Sequence, residues 1–279
     1  MPKPPPPPAN RGPNPSPALQ RAVAALQMGQ IVEAERLAAE VLKANRNDVG
    51  AASILARALM MQNRNEEAIA PLERATRRVE DAGLETLLGA ALGGAGRRNE
   101  AIDVLRRTTA RRPPYLPAFQ ALAGQLHADG RIDEAVAVIE SAIALAPGSL
   151  EFQLLLAQLL PQRNERGRAR QILEKLRAAA PGHPDVLGAL ARVLLLDGEY
   201  AAAADLYRQV LAQRPDDPLT RTSFSATLLE MGDRAAGEAN LRLALRGRPQ
   251  KIGRTTAALV MSSHGRFLFR RSAFAEFLS

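Results

Sequence analysis

The chain has 279 residues, a formal net charge of +8, and neither cysteine nor tryptophan. The lack of cysteine excludes disulfides and thiol chemistry, and it removes the commonest soft metal ligand. No stretch approaches the roughly 18 consecutive apolar residues that span a bilayer, and no apolar signal region stands near residue 1, so we expect a cytoplasmic protein.

The first 17 residues, MPKPPPPPANRGPNPSP, contain nine prolines and almost nothing that could be buried. Such a composition favours polyproline II and cannot recover its ordering entropy by packing. We predict that residues 1–17 are a disordered, proline-rich arm. Binding of this arm to a polyproline-recognising partner is the alternative.

An internal repeat begins after this arm. Prolines recur every 34 residues at positions 113, 147, 181, 215 and 249. Glycines keep the same register at positions 96, 130, 198 and 232, with Asn164 at the position where one is missing. A fixed period of this length is the signature of a stacked-repeat protein. We place repeat boundaries at residues 15, 49, 82, 116, 150, 184 and 218.

Each repeat contains two amphipathic segments that a glycine-type turn separates and a proline ends. The eighth position is always small: Ala22, Ala56, Gly89, Ala123, Ala157, Ala191 and Ser225. A small side chain is needed where two helices cross closely. Bulky residues recur between the small ones and should fill the stack, for example Leu59 and Leu92 on first helices, and Leu72 and Tyr207 on second helices.

Three segments carry a family resemblance: GRRNEAIDVLRRTTARRPPY at 96–115, GRIDEAVAVIESAIALAPGS at 130–149 and GEYAAAADLYRQVLAQRPDD at 198–217. They resemble the second helix and terminator of tetratricopeptide repeats, and the alanine- and arginine-rich usage resembles that of bacterial arrays of this family. The resemblance implies an all-α, right-handed α-solenoid of about seven helix-turn-helix repeats over residues 18–251. The family's aromatic residue at position four is mostly missing.

The resemblance also implies that a peptide or partner protein binds in the concave groove that first helices line. Five residues at or near the groove positions are the candidate contacts: Arg57, Gln120, His127, Gln158 and Arg192. The paired Lys and Asn arrangement by which some members capture a C-terminal carboxylate is not reproduced. We expect no catalytic residue, cofactor, metal or small-molecule substrate.

A glycine-rich stretch, GAALGGAGRR at 89–98, suggests a nucleotide-binding loop at first sight. No strand precedes it, so the context of a phosphate loop is absent. Gly93 and Gly94 near the end of that helix indicate a soft spot, or a place where a ligand backbone comes close.

The C-terminal segment, residues 252–279, holds Phe267, Phe269, Phe274 and Phe277 beside several arginines. We expect a C-terminal capping helix that covers the last repeat. The alternative is docking of this tail on another copy of the chain or on a partner. Binding of nucleic acid or of a membrane surface is not expected, because the segment has no nucleic-acid motif and Arg270 and Arg271 interrupt its apolar face.

These observations predict a non-enzymatic scaffold or adaptor that binds a protein or peptide partner. The alternative is a non-catalytic accessory region of a bacterial transferase-type enzyme system, since such catalytic domains follow similar arrays.

Overall fold

The computed structural model describes residues 16–246, which form fourteen α-helices, one short 3₁₀ helix and no strand. The helices are α1 (Pro17–Gln27), α2 (Ile31–Ala44), α3 (Val49–Met61), α4 (Asn65–Thr76), α5 (Ala82–Gly94), α6 (Arg98–Thr109), α7 (Leu116–Ala128), α8 (Ile132–Leu145), α9 (Leu150–Leu159), α10 (Arg166–Ala179), α11 (Pro184–Leu196), α12 (Tyr200–Gln213), α13 (Pro218–Glu230) and α14 (Arg234–Leu245). The 3₁₀ helix, Leu160–Arg163, follows α9 directly.

The helices belong to two compact units, residues 1–138 and 139–279, and the boundary lies within α8. In the first unit α1, α3, α5 and α7 contact one another in chain order, and each of α1, α3 and α5 also pairs with the helix that follows it. In the second unit α9, α11 and α13 form the corresponding row. Helical hairpins therefore stack in sequence within each unit, and the fold class is the α-solenoid that the periodicity predicts.

The turn inside each hairpin uses a left-handed backbone conformation. Asn164 has φ 61°, so it replaces glycine in the turn as the spacing predicts. The series also includes Gly29 and Asn63, which the repeat analysis did not assign. Glycine and asparagine are the residues that adopt this conformation most readily, which explains the restricted choice at these positions.

The small residues at position eight lie at close helix crossings, as predicted. A Cβ atom added to Gly89 of α5 would lie 2.5 Å from the Cγ atom of Leu105 on α6, and Leu105 is fully buried. Ser225 of α13 is also fully buried, and its hydroxyl donates a 2.6 Å hydrogen bond to the Gly237 carbonyl of α14. A larger side chain at either position would separate the two helices.

Ion pairs between arginine and glutamate side chains join successive hairpins. The Arg64 guanidinium contacts Glu35 of the preceding hairpin at 2.8 Å, and Arg168 contacts Glu140 at 2.6 Å. A hydrogen bond from Gln62, together with the bond and charge of Arg64, lowers the pKa of Glu35 against an opposing effect of burial. Exposed pairs of this kind stabilise by about 0–1 kcal/mol each, so they supplement the packing of the apolar core.

Two predicted segments lie at the ends of the chain. Of the predicted arm, only residues 16 and 17 are described: the Ser16 hydroxyl caps α1, and Pro17 is its first residue. The predicted tail, with Phe267, Phe269, Phe274 and Phe277, lies outside the described residues.

Candidate binding groove

A cavity of about 220 Å³ opens on the first-helix face of the second unit. Residues of α9, α11 and α13 line it, together with α12 and the loop that follows α12. Two of the predicted contact residues, Gln158 and Arg192, are both in its wall. They hold position nine of successive repeats, so the stacking of α9 on α11 brings them together.

A direct hydrogen bond joins these two residues. The Arg192 Nη2 atom donates to the Gln158 backbone carbonyl at 3.3 Å. That carbonyl lies at the end of α9, where the chain passes into the 3₁₀ helix that contains Pro161. The Arg192 guanidinium gives this carbonyl a side-chain donor from the neighbouring helix.

Tyr207 of α12 contributes a buried phenol to the same cavity. Only 2% of this residue is exposed, and its hydroxyl completes no hydrogen bond with any described residue. Burial raises the pKa of Tyr207 to about 12, while Ser223 and the charge of Arg192 act weakly in the opposite direction. Ser223 is thus close enough to influence the phenol although the geometry of a full hydrogen bond is not reached. At neutral pH the phenol is protonated, and its O–H completes no hydrogen bond with the described residues.

The other charged residues of the cavity have ion-pair or hydrogen-bond partners within the chain. Arg214 pairs with Asp185 through contacts of 2.5 and 3.2 Å. The hydrogen bond from Arg214 lowers the pKa of Asp185 most, burial opposes it, and the charges of Arg214 and His183 add to the lowering. Asp217 caps α13, since its carboxylate accepts bonds from the Leu219 N–H at 3.0 Å and the Thr220 hydroxyl at 2.5 Å.

Arg192 differs from these residues. Its side chain is exposed, and no carboxylate of the described chain forms an ion pair with it. The cavity therefore contains one unneutralised guanidinium beside one unpaired buried hydroxyl. An apolar wall lies next to them, and Leu219 in that wall is 56% exposed.

The remaining predicted contacts within the described chain belong to the first unit. Arg57 lies on α3, and Gln120 and His127 lie on α7; all three residues are exposed. Helix α5 stands between α3 and α7 in the stack, so the structure does not gather them into one site. A larger groove of about 740 Å³ in this unit is lined by α4, α5 and α6 and contains none of them.

Gly93 and Gly94 have a packing role that the sequence did not reveal. A Cβ atom on Gly93 would lie 2.3 Å from the Gln125 side-chain amide of α7, and one on Gly94 would lie 2.6 Å from Asn65 of α4. Side chains of the chain's own neighbouring helices thus fill the space in which we expected a soft spot or a ligand backbone.

Polar residues at position four replace the family's aromatic residue by making hydrogen bonds. The Glu85 carboxylate accepts bonds from the Thr108 hydroxyl at 3.0 Å and from Arg111 at 2.5 and 2.8 Å. The Gln153 side chain donates to the Pro147 carbonyl at 2.7 Å, and Arg221 donates to the Pro215 carbonyl at 2.8 Å. The bonds of Glu85 tie α5 to the end of the second helix that follows it, whereas those of Gln153 and Arg221 tie α9 and α13 to the terminator loop before each helix.

Sequence reasoning missed several residues of the cavity. Tyr207 was assigned to the buried stack because it falls in the bulky series of the second helices. The signal that could have singled it out is its hydroxyl, since the other members of that series are aliphatic. Asp185 and Arg214 carried no signal, because each belongs to a loop or helix end where charged residues are common.

Two kinds of feature are absent from the described residues. Within residues 16–246, no cluster of histidine, aspartate and glutamate has a geometry that could hold a metal ion. No helix in this range is both long enough and apolar enough to cross a membrane.

Profiles of the tetratricopeptide repeat match residues 25–91, 86–150, 126–193 and 186–220, without a gap from residue 25 to residue 220. No curated protein matches the sequence. Among solved structures, pilF of Pseudomonas aeruginosa aligns with a TM-score of 0.60 at 19% identity, over 75% of this chain and 95% of its own.

Two other solved structures are similar in fold. The C-terminal part of a TPR repeat-containing protein from Cytophaga hutchinsonii has a TM-score of 0.57 at 14% identity, over 86% of this chain and 99% of its own. The structure of the APC/C hetero-tetramer Cut9-Hcn1 gives 0.63 at 15% identity over 87% of this chain, which spans 48% of the matched chain. At these identities the likeness concerns the fold. Together with the profile matches, it shows that the chain belongs to the tetratricopeptide repeat family.

Proposed function

We propose that the chain is a protein-interaction scaffold that holds an extended segment of a partner protein on the first-helix face of residues 139–246. The family and the fold support protein binding in general terms. The cavity between α9, α11 and α13 supports this location, because it combines apolar surface with a few convergent polar groups, as binding sites commonly do.

The observation that carries the proposal is the meeting of Gln158 and Arg192 in this cavity. The Arg192 side chain offers further N–H donors beyond the one that Gln158 accepts. Gly188, one turn before it on α11, leaves the helix backbone uncovered, since a Cβ atom there would meet nothing within 4 Å. A peptide main chain can therefore pass close to α11 with Arg192 at its side.

Substitution of Gly188 tests the proposal, because Gly188→Leu fills open space in the cavity without a clash at Cβ. Gly124→Leu is the matched control: Gly124 is also a helical glycine with nothing within 4 Å of the added Cβ, but it lies on α7 in the first unit. Peptides selected by phage display on the full chain are labelled, and their Kd values are measured by fluorescence anisotropy.

We expect Gly188→Leu to weaken binding of the selected peptides at least about tenfold, equivalent to about 1.4 kcal/mol. Gly124→Leu should leave their Kd unchanged. Both variants should be as helical as the parent chain by circular dichroism, because leucine is a better helix former than glycine. Equal binding by the parent chain and by Gly188→Leu would contradict the proposed location.

The same proposal includes the finer features of the scaffold. We propose that it acts in the bacterial cytoplasm as an adaptor, without catalysis or a cofactor. The alanine-rich composition and the 33 arginines against 4 lysines support a bacterial origin. Fractionation of cells that express the tagged full chain tests the location, and recovery in the membrane fraction would contradict it.

A further inference from the structure

The cavity of the second unit has a chemical asymmetry that points to the kind of side chain it binds. Its charged lining residues are Asp185, Arg192, Arg214 and Asp217. Arg214 is neutralised by Asp185, and the Asp217 carboxylate accepts bonds from α13. Arg192 is bonded only to a backbone carbonyl, so one positive charge is available to a ligand.

Tyr207 is a second and independent feature of the same cavity. Its hydroxyl is buried, lies in the field of Arg192 and completes no hydrogen bond among the described residues, although Ser223 lies near enough to lower its pKa. Buried polar groups are nearly always paired, and an unpaired one needs a specific explanation. The hydroxyl has essentially no accessible surface, so an acceptor brought by a ligand would pair it only when the side chains over it move aside. The same acceptor would neutralise Arg192, whose side chain is exposed.

On the basis of the proposed function, we propose that Arg192 and Tyr207 bind the carboxylate of an aspartate or glutamate side chain in the partner's segment. The exposed Leu219 contacts an apolar residue next to that acidic residue. A carboxylate fits better than a phosphate group, because the four charged lining residues sum to zero and only one guanidinium is free to match the ligand. The open space above Gly188 lets the segment continue past the anchor.

Oriented peptide pools provide the test. Each pool contains 11-residue peptides, acetylated and amidated at the ends, with a fixed central residue and degenerate flanks. The fixed residue is aspartate, glutamate, asparagine, glutamine, alanine or lysine, and binding to the full chain is measured by anisotropy. We expect the aspartate and glutamate pools to bind at least about tenfold more tightly than the amide pools, equivalent to about 1.4 kcal/mol.

Three variants assign this preference to residues. Arg192→Gln should abolish the preference for acidic pools. Arg57→Gln should keep it, because Arg57 is also an exposed arginine at position nine of a first helix but lies on α3 in the other unit. Tyr207→Phe removes only the hydroxyl, so it should reduce the preference several-fold without changing binding of the alanine pool. A purely structural role of Tyr207 would instead weaken all pools equally.

The outcomes separate this inference from the proposed function. Binding of acidic and amide pools with equal affinity, still sensitive to Gly188→Leu, would overturn the carboxylate anchor and leave the groove proposal intact. No binding of any pool would overturn both. The same pools are also made without the C-terminal amide, and a preference that appears only with this free C-terminal carboxylate would contradict a side-chain anchor.

A second copy of this chain is the other occupant to test. A synthetic peptide of residues 266–279 contains Glu276 as its only acidic side chain. Tighter binding of this peptide than of every acidic pool, with loss of binding in E276Q, would replace the outside partner by a second copy and contradict the proposal. Binding no tighter than that of the alanine pool supports the outside partner.

Discussion

Glu85→Ala should lower the free energy of unfolding by about 2–3 kcal/mol. Glu85 stands at position four of its repeat and accepts three hydrogen bonds, one from Thr108 and two from Arg111. The Glu85 side chain is only 15% exposed. Loss of an exposed ion pair costs about 0–1 kcal/mol, and removal of one partner of a buried pair costs about 3–5 kcal/mol. The bonds of Glu85 should have an intermediate strength. Loss of the carboxylate also leaves Arg111 without its better-buried partner.

Glu80 provides the matched control. It contacts the same arginine at 3.2 Å, but its side chain is 87% exposed. Glu80→Ala should therefore change the unfolding free energy by less than about 0.5 kcal/mol. Urea unfolding at constant pH, followed by far-UV circular dichroism, measures both variants, and double-mutant cycles with Arg111→Ala isolate the two pair energies. Equal losses for the two glutamates would refute the reasoning that burial decides the strength of this contact.

Three further predictions concern the packing, the turns and the charges. In urea unfolding, Gly89→Ala should destabilise the chain by about 1–2 kcal/mol, because the new methyl group meets Leu105. Gly124→Ala, where the methyl group meets nothing, should stabilise the chain by about 0.5–1 kcal/mol. Equal effects of the two substitutions would contradict a close helix crossing at Gly89. By the same measurement, Asn164→Ala should lower the free energy of unfolding by about 1–2 kcal/mol, because φ of residue 164 is 61° and alanine disfavours this conformation. Asn164→Gly should leave the free energy of unfolding almost unchanged. Full stability of the alanine variant would argue against the left-handed turn. The pKa of Glu35 is lowered from 4.5, so its charge stabilises the folded chain above that pH. At neutral pH, Glu35→Gln should therefore be less stable than the parent chain, and this difference should vanish as the pH falls through the pKa of Glu35 in the folded chain. A difference that persists in acid would show that the charge of Glu35 is not its cause.

The sequence predicts the features that repeat because each one answers a requirement of the backbone. Only a few residue types adopt the left-handed turn at Asn164, and only small ones permit the crossing at Gly89, so these positions can be read from spacing alone. The hydrogen bonds of Glu85 could not be predicted, because they depend on the distance between α5 and the end of α6. The absence of an aromatic residue at that position only indicated a departure from the family.

The candidate site shows the same limit more sharply. The repeat spacing predicts that Gln158 and Arg192 lie on neighbouring first helices, and the structure places both in one cavity. The spacing does not predict the hydrogen bond from Arg192 to the Gln158 carbonyl, because this bond depends on how closely α11 packs against the end of α9. Nor does it show that the hydroxyl of Tyr207 lacks a partner, since burial and hydrogen bonding are properties of the folded chain.

Arg57 and Arg192 show how departures from the repeat distinguish the candidate site. Both are exposed arginines at the ninth position of a first helix, and a strictly periodic protein would give them equal surroundings. Only Arg192 lies in the wall of the cavity, with the Gln158 carbonyl on one side and the phenol of Tyr207 in its field. Stacking determines where each side chain lies, while residues that break the regular pattern, such as Tyr207, give the two arginines different surroundings. A ligand selective for the second unit must therefore recognise such departures, because the small, bulky and turn positions recur in both units.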